Sequence, residues 1–172
     1  MEAGAGAAAG AGVEVRAACA ADTPAMAALL NQIIAIGGTT ALQTPVTADW
    51  FVERLAVPRS CWHVAVAEDL LGFQWAAPNP KLPPDIADIA TFVRVGLTGR
   101  GVGSALFRAT ETCVRARGYG AINATIRGDN TGGLAYYSGR GFRDHDVTPA
   151  VPLADGTPVD RVHKRFALAP AR

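Results

Sequence analysis

Hydrophobic and polar residues alternate in several short segments of the chain, which is the pattern of strands with one buried face. Two of these segments flank a short acidic turn at 68–69, so they are predicted to form an antiparallel hairpin. A second hairpin is predicted near the C-terminus, at the turn Asp155-Gly156. The predicted strands are 13–16, 62–66, 71–75, 86–95, 121–126, an extended segment from 142 onward, and 159–168.

Other segments place hydrophobic residues three and four positions apart, as on one face of a helix. The first follows Thr23, a predicted N-cap, with Pro24 at the first helical position. The predicted helices are 24–36, a short helix capped by Thr47, one from about 102 to Gly118, and one from Asn130 to about Gly139.

The order of elements is therefore β-α-α-β-β-β-α-β-α-β-β. Hairpins lie at both ends, and the strand–helix–strand unit in the middle is expected to be parallel with a right-handed crossover. This order predicts a mixed α/β (α+β) fold and differs from that of a doubly wound dinucleotide-binding sheet.

Length and composition narrow the class of protein. The 172 residues suit one domain, predicted at 13–168, after a flexible Ala/Gly-rich tail at 1–12. A net charge of +1 gives no basic surface for nucleic acid. No apolar run approaches the roughly 20 residues that span a bilayer, and the first residues do not resemble a signal peptide. We therefore expect a cytoplasmic protein that binds neither nucleic acid nor membrane.

Cysteine and histidine spacing predicts no metal site. Cys19, Cys61 and Cys113 are odd in number and widely spaced, and the three histidines are scattered. We expect three buried free thiols, as is usual in a reducing compartment, rather than a disulfide.

A glycine-rich turn at 96–103 connects a predicted strand to a predicted helix. Glycines let backbone N–H groups approach a phosphate, and the helix N-terminus adds partial positive charge, so the turn is a candidate pyrophosphate site. The alternative is a tight turn with no ligand. The spacing matches neither a P-loop nor a dinucleotide-binding fingerprint.

The turn at 98–103 and the segment 130–142, which contains Asn130, Tyr137 and Gly141-Phe142, resemble two motifs of the GNAT N-acetyltransferases. Thr98-Gly99-Arg100-Gly101-Val102-Gly103 is similar to the family's Q/R-x-x-G-x-G/A, with Thr98 in place of Gln or Arg. The segment 130–142 is similar to the second motif, N-x-x-A-x-x-x-Y-x-x-x-G-F, with Gly133 in place of Ala. The resemblance covers about 13–168 and implies a central mixed sheet of six or seven strands flanked by about four helices.

The resemblance also implies roles for individual residues, with acetyl-CoA as cosubstrate and no metal. The strand carrying Val93 and Val95 would pair with the pantetheine arm. Asn130 would bond the pantetheine or thioester, and Tyr137 would be the general acid that protonates the CoA thiolate. The phosphate-binding residues would be Thr98, Gly99, Arg100, Gly101, Val102, Gly103 and Ser104.

An amine acceptor must lose a proton, so a base is needed. Asp88 is the candidate, because some family members have a carboxylate there; the alternative is a solvated aspartate at a strand edge. Of Tyr136 and Tyr137, only one is expected to face the cofactor.

Other polar and aromatic residues have simpler interpretations. His63, His145 and Asp146 are interpreted as ordinary strand residues, although the last two could line an acceptor pocket. The stripe of Trp62, Phe73 and Trp75 is interpreted as sheet core.

The acceptor site is expected between the first two helices and the last hairpin. The stretch 31–50 has faint similarity to phosphinothricin-acetyltransferase-like members, which hints at a small amine. The leading hypothesis is direct acetyl transfer to a primary amine of a small molecule or peptide, by a possible homodimer. The alternatives are a non-catalytic acyl-CoA sensor of the same fold and a protein binding ATP or NAD.

Overall fold

The computed structural model describes residues 12–168. The predicted N-terminal tail, apart from Gly12, lies outside the described residues. The strands are β1 (Glu14–Ala17), β2 (Cys61–Val66), β3 (Leu70–Pro78), β4 (Ile86–Val93), β5 (Ala121–Arg127), β6 (Arg143–Pro152) and β7 (Pro158–Ala167). The α-helices are α1 (Thr23–Ile36), α2 (Ala48–Leu55), α3 (Val102–Ala116) and α4 (Thr131–Gly139).

The strands form one seven-stranded sheet in the order β1-β2-β3-β4-β5-β7-β6. Within residues 12–168, β4 and β5 are the only strands that pair in parallel, and the crossover between them contains α3. The predicted order of elements, the mixed sheet and the parallel central unit are therefore confirmed.

Element boundaries follow local signals closely, although β3 runs three residues beyond its predicted end, to Pro78, and α1 and β4 also differ. The Thr47 hydroxyl accepts a hydrogen bond from the Trp50 amide at 3.2 Å, as a predicted N-cap should. Thr23 is the first residue of α1 rather than its cap, and its hydroxyl donates to the Ala20 carbonyl of a preceding 3-10 turn. The strand β4 ends at Val93, two residues earlier than predicted, because the chain turns at Arg94, whose carbonyl accepts from Leu97.

The two sheet faces are covered by different helices. On one face, α1 and α2 pack over Trp62, Phe73 and Phe92 from the first strands. On the other face, α3 and α4 pack over residues such as Ile89 and Ile122. Since successive strand residues point to opposite faces, each residue's position along β2–β5 decides which layer it meets.

The expectation of three buried free thiols is wrong. Cys61 and Cys113 form a disulfide between β2 and α3, with Cα atoms 6.1 Å apart, and Cys19 is a free, exposed thiol. Cys61 faces the α3 layer at the start of β2, and Cys113 lies opposite it on the sheet-facing side of α3. The packing of α3 on the sheet brings together two cysteines 52 positions apart, a contact that sequence spacing does not reveal.

Candidate active site

The central feature of the site is a gap between β4 and β5. Their parallel pairing covers only Ile86–Ile89 of β4 and Ala121–Ala124 of β5, although both strands continue further. Beyond the last pair, the edge of β4 at 90–93 keeps its pairing with β3 but has lost β5 as a partner. An extended ligand could therefore add to this backbone edge as a strand does.

The gap opens into a cleft of about 1640 Å³ that runs between the two helix layers. A single small-molecule pocket usually has roughly 300–1,000 Å³, so this cleft has room for more than one ligand.

The glycine-rich turn forms one end of the cleft. Gly99 and Gly101 have φ of 80° and 85°, a conformation that strongly favours glycine, and Gly101 caps the N-terminus of α3. The first turn of a helix leaves backbone N–H groups without intrahelical acceptors, and its dipole favours an anion. This end of the cleft is therefore suited to phosphate.

Most of the predicted phosphate-binding residues line the cleft, and two do not. The lining includes Thr98, Gly99, Gly101, Gly103 and Ser104. Arg100 is exposed on the turn, and the Val102 side chain is buried in the core beneath α3, so Val102 could contribute only its backbone.

The strand residues of the prediction also reach the cleft. Val93 is the last residue of β4, whereas Val95 lies beyond the strand and is 62% exposed, and both line the cleft.

Asn130 serves as the N-cap of α4. Its Oδ1 accepts from the Gly133 amide at 2.9 Å, and its Nδ2 donates to the Thr39 carbonyl at 2.9 Å. A Cβ on Gly133 would lie 2.5 Å from the Asn130 Nδ2, so an alanine at this position would require the Asn130 side chain to shift. Asn130 therefore connects α4 to the α1–α2 loop, which forms part of the cleft wall.

Tyr137 and Tyr136 both line the cleft, although only one was expected to face it. The Tyr137 hydroxyl lies 2.9 Å from the Thr91 Oγ1, and burial raises the pKa of this phenol well above its ordinary value of 10.0. The Tyr136 hydroxyl donates to the Gly103 carbonyl at 2.7 Å. Burial also raises the pKa of Tyr136, so both phenols hold their protons at neutral pH.

A buried glutamine connects the two phenols. The Gln74 Nε2 donates to the Thr91 Oγ1 at 2.7 Å and to the Tyr136 hydroxyl at 3.2 Å. The Gln74 side chain is fully buried, and its Oε1 has no partner among the described residues. We call Gln74, Thr91, Tyr136 and Tyr137 the polar network.

Asp88 lies on the face of β4 that α1 and α2 cover. Its two carboxylate oxygens accept from the Asn123 Nδ2 at 2.8 Å and the Asn79 Nδ2 at 2.9 Å, so two amides fix its orientation. It is half-buried and lines the cleft near Tyr137, whose pKa its charge helps to raise.

The histidines and Asp146 lie elsewhere. His63 bonds the Thr110 hydroxyl of α3 at 3.1 Å, on the opposite sheet face from Asp88, and burial lowers its pKa. His145 and Asp146 are exposed on β6 and contribute nothing to the cleft wall.

A match to a family model decides the class of protein to which this chain belongs. The model described as the acetyltransferase (GNAT) family matches residues 26–142. The chain belongs to the GNAT acetyltransferase family. The resemblance and the acyltransferase class inferred from the two motifs are thereby confirmed.

Solved structures of GNAT proteins share this fold. A GCN5-related N-acetyltransferase from Kribbella flavida is 27% identical and has a TM-score of 0.77, over 91% of this chain and 98% of that chain. An N-acetyltransferase from Staphylococcus aureus is 19% identical, with a TM-score of 0.83 over 92% and 99% of the two chains. A phosphinothricin acetyltransferase from Sinorhizobium meliloti, solved in complex with AcCoA, is 20% identical, with a TM-score of 0.82 over 91% and 89%. No curated protein sequence matches this chain significantly.

The described part of this GNAT chain lacks two features, a metal-binding cluster and a membrane-spanning helix. Across residues 12–168, no group of three or more His, Cys, Asp or Glu side chains is arranged to hold a metal ion. Within the same range, no helix is both long enough and apolar enough to cross a bilayer.

Sequence analysis missed several residues of the cleft. Arg140 lies at the end of the cleft formed by the glycine-rich turn, where its Nη1 donates to the Ser104 hydroxyl and its buried Nε has no partner among residues 12–168. Its position next to Gly141 in the second motif is a sequence signal that could have identified it as a site residue. Phe73 is fully buried as predicted, but Trp62 and Trp75, interpreted as core, also line the cleft.

The expected acceptor elements are divided between two cavities. The α1–α2 loop lines the main cleft, but the tip of the β6–β7 hairpin does not. Residues 152–154 of that hairpin instead line an adjoining cavity of about 580 Å³ together with 41–46 and Trp50, and Ala41, Leu42 and Trp50 line both cavities.

Proposed function

We propose that this chain transfers the acetyl group of acetyl-CoA to a primary amine of a small molecule or peptide, in one step within a ternary complex. The observation that carries the proposal is the gap between β4 and β5. It has a helix N-terminus at one end, a buried phenol in the middle and a carboxylate on the opposite face.

The residues present fit acetyl-CoA. The free edge of β4 at 90–93 would pair with the pantetheine arm, and the turn at 98–104 would donate backbone N–H groups to the pyrophosphate. Arg140 adds a guanidinium whose buried Nε lacks a partner within the described chain, as expected for a group that a phosphate would satisfy. The cosubstrate would supply an activated acetyl thioester.

Two side chains would carry the proton transfers. Asp88, directly or through a water, would take a proton from the amine as its nitrogen bonds to the acetyl carbon. Backbone amides of β4 would polarise the carbonyl as the carbon–sulfur bond breaks. Tyr137 would protonate the departing thiolate, because its raised pKa keeps the phenol protonated at neutral pH.

The test is the variant Tyr137→Phe, measured by thiol release and by acetyl-CoA binding. A general acid contributes about 100-fold or more to the rate, so kcat should fall by about that factor while the acetyl-CoA Kd changes little. Tyr119→Phe is the matched control, because Tyr119 donates to the Arg59 carbonyl away from the cleft.

Each outcome of this test is informative. An unchanged kcat in Tyr137→Phe would remove Tyr137 from the mechanism. Tight acetyl-CoA binding by the wild type, with no thiol release across a panel of amines, would favour the acyl-CoA sensor. The cytoplasmic location and the homodimer stay predictions from the sequence.

A further inference from the structure

The chain has three tryptophans, and all three line one half of the cleft. Trp62 and Trp75 are cross-strand partners on β2 and β3, with ring centroids 4.9 Å apart. Trp50 from α2 packs edge-on to Trp75 at 6.1 Å. We call these three residues the tryptophan wall.

Other apolar residues line this half as well. They include Ile33 and Ile36 of α1, Leu42 of the α1–α2 loop, and Val57 after α2. Ile36 is 67% exposed and Val57 is 39% exposed, although contact with water is unfavourable for both of these apolar side chains. Exposed apolar side chains that gather in a cleft are typical of a ligand site.

The cations in this half are already engaged. The Arg54 guanidinium lies 3.6 Å from the centroid of the Trp50 ring and donates to the Trp50 carbonyl. Arg127 pairs with both carboxylate oxygens of Asp129. An anion on the acceptor could therefore bind Arg127 only in competition with Asp129, and could approach Arg54 only from the side that Trp50 leaves open.

The anionic groups suit an amine. Asp88 is on the same sheet face as Trp75, because Trp75 pairs with Ala90 and residues two apart on a strand share a face. Glu53 lines the same half of the cleft from α2. The amine end of an acceptor would thus meet carboxylates while its body meets the tryptophan wall.

An unpaired donor points independently to a ligand. The Trp62 side chain is only 7% exposed, and its indole N–H has no partner among the described residues. Buried N–H groups are nearly always paired, and an orphan in a cleft wall calls for an explanation. The π face of an aromatic ring in the cleft would supply a weak acceptor for this N–H.

We infer that this half of the cleft binds an acceptor whose primary amine lies towards Asp88 and whose body is an aromatic ring packed on the tryptophan wall. The inference rests on the proposed acetyl transfer and specifies its acceptor class. It favours arylalkylamines over polyamines and over acidic amino acids.

The first test compares acetyl-transfer rates for three primary amines: 2-phenylethylamine, putrescine and glutamate. The aromatic amine should have a kcat/KM at least about tenfold above that of either other amine, because only its body gains from burial against the wall. An equal or higher kcat/KM for putrescine or glutamate would overturn the inference.

A binding measurement separates this inference from the proposed function. Since every tryptophan of the chain lines the site, 2-phenylethylamine should change the intrinsic fluorescence saturably, and putrescine at the same concentration should not. If 2-phenylethylamine binds but no amine is acetylated, the proposed function fails and the aromatic site stands. If putrescine is the better acceptor, the aromatic site fails and acetyl transfer stands.

Variants of the wall complete the test. Trp75→Leu keeps an apolar side chain but removes the ring, so kcat/KM for 2-phenylethylamine should fall about tenfold and its advantage over putrescine should largely disappear. Trp50→Leu, at a half-buried position, tests the same point if Trp75→Leu does not fold. Val147→Ala, exposed on β6, is the control and should keep the preference. A preserved preference in both tryptophan variants would refute the role of the wall.

Discussion

The polar network makes a quantitative prediction at Thr91. Its Oγ1 is 2.7 Å from the Gln74 Nε2 and 2.9 Å from the Tyr137 hydroxyl, so one oxygen serves two largely buried polar groups. Thr91→Val keeps nearly the same shape and volume while removing this oxygen. The variant should leave one N–H of Gln74 without an acceptor and the Tyr137 hydroxyl without its partner.

The expected cost follows from these two orphaned groups. A buried polar group without a partner costs about 1–3 kcal/mol, so the two together should lower the free energy of unfolding by about 2–6 kcal/mol. Thr91→Ser keeps the oxygen and loses one methyl group, which should cost about 1 kcal/mol. The difference between the two variants therefore measures the hydrogen bonds rather than the packing.

The assay is urea unfolding of both variants beside the wild type, with thiol-release rates measured on the same preparations. The hydrogen bond from Thr91 partly offsets the burial that raises the pKa of Tyr137. Its loss in Thr91→Val should raise that pKa further, weaken the proposed acid and lower kcat more than in Thr91→Ser. Equal stability of the two variants, with equal m-values, would refute the assignment of the network.

Two further predictions concern the same sheet face, where α3 packs on β2. The disulfide between Cys61 and Cys113 closes a loop of 52 residues. Cys113→Ser removes this disulfide and should lower the free energy of unfolding by roughly 4 kcal/mol. Cys19→Ser replaces a free thiol and should change it very little. If both serine variants unfold at the wild-type urea concentration, the disulfide does not stabilise the fold. Burial lowers the pKa of His63 below its ordinary value of 6.5, so its contribution to stability is present above pH 6.5 and is lost as the pH falls through the lowered pKa. The Tm should therefore fall less between pH 7 and 5 in His63→Gln than in the wild type. An equal fall in Tm in both proteins would contradict this. His145→Gln, at an exposed position, is the control and should behave like the wild type.

Much of the fold was predictable because its signals are local. Strand alternation, helical spacing and the cap at Thr47 depend on neighbours within a few residues, and they correctly predicted the order of elements. The positive φ of Gly99 and Gly101 likewise follows from a tight turn that only glycine enters without strain.

The site was only partly predictable. The two motifs marked the glycine-rich turn and Tyr137, since each lies within one short segment. The hydrogen bond between Gln74 and Tyr136 joins residues 62 positions apart, and neither residue's own stretch of sequence indicates it. The same holds for the two cysteines and for Trp62 and Trp75, which a pattern of alternating residues represents simply as a buried stripe.

The sequence by itself determined which elements form, which face of each is apolar and where the chain can turn, because these depend on local backbone energetics and hydrophobic period. The tertiary structure decided the disulfide, the polar network, the opening between β4 and β5 and the exposure of the tryptophan wall to the cleft. A hydrophobic period shows that one face of an element is buried, but it does not show which other element covers that face. The partners are chosen by the packing of helices on a twisted sheet, where residues tens of positions apart come into contact.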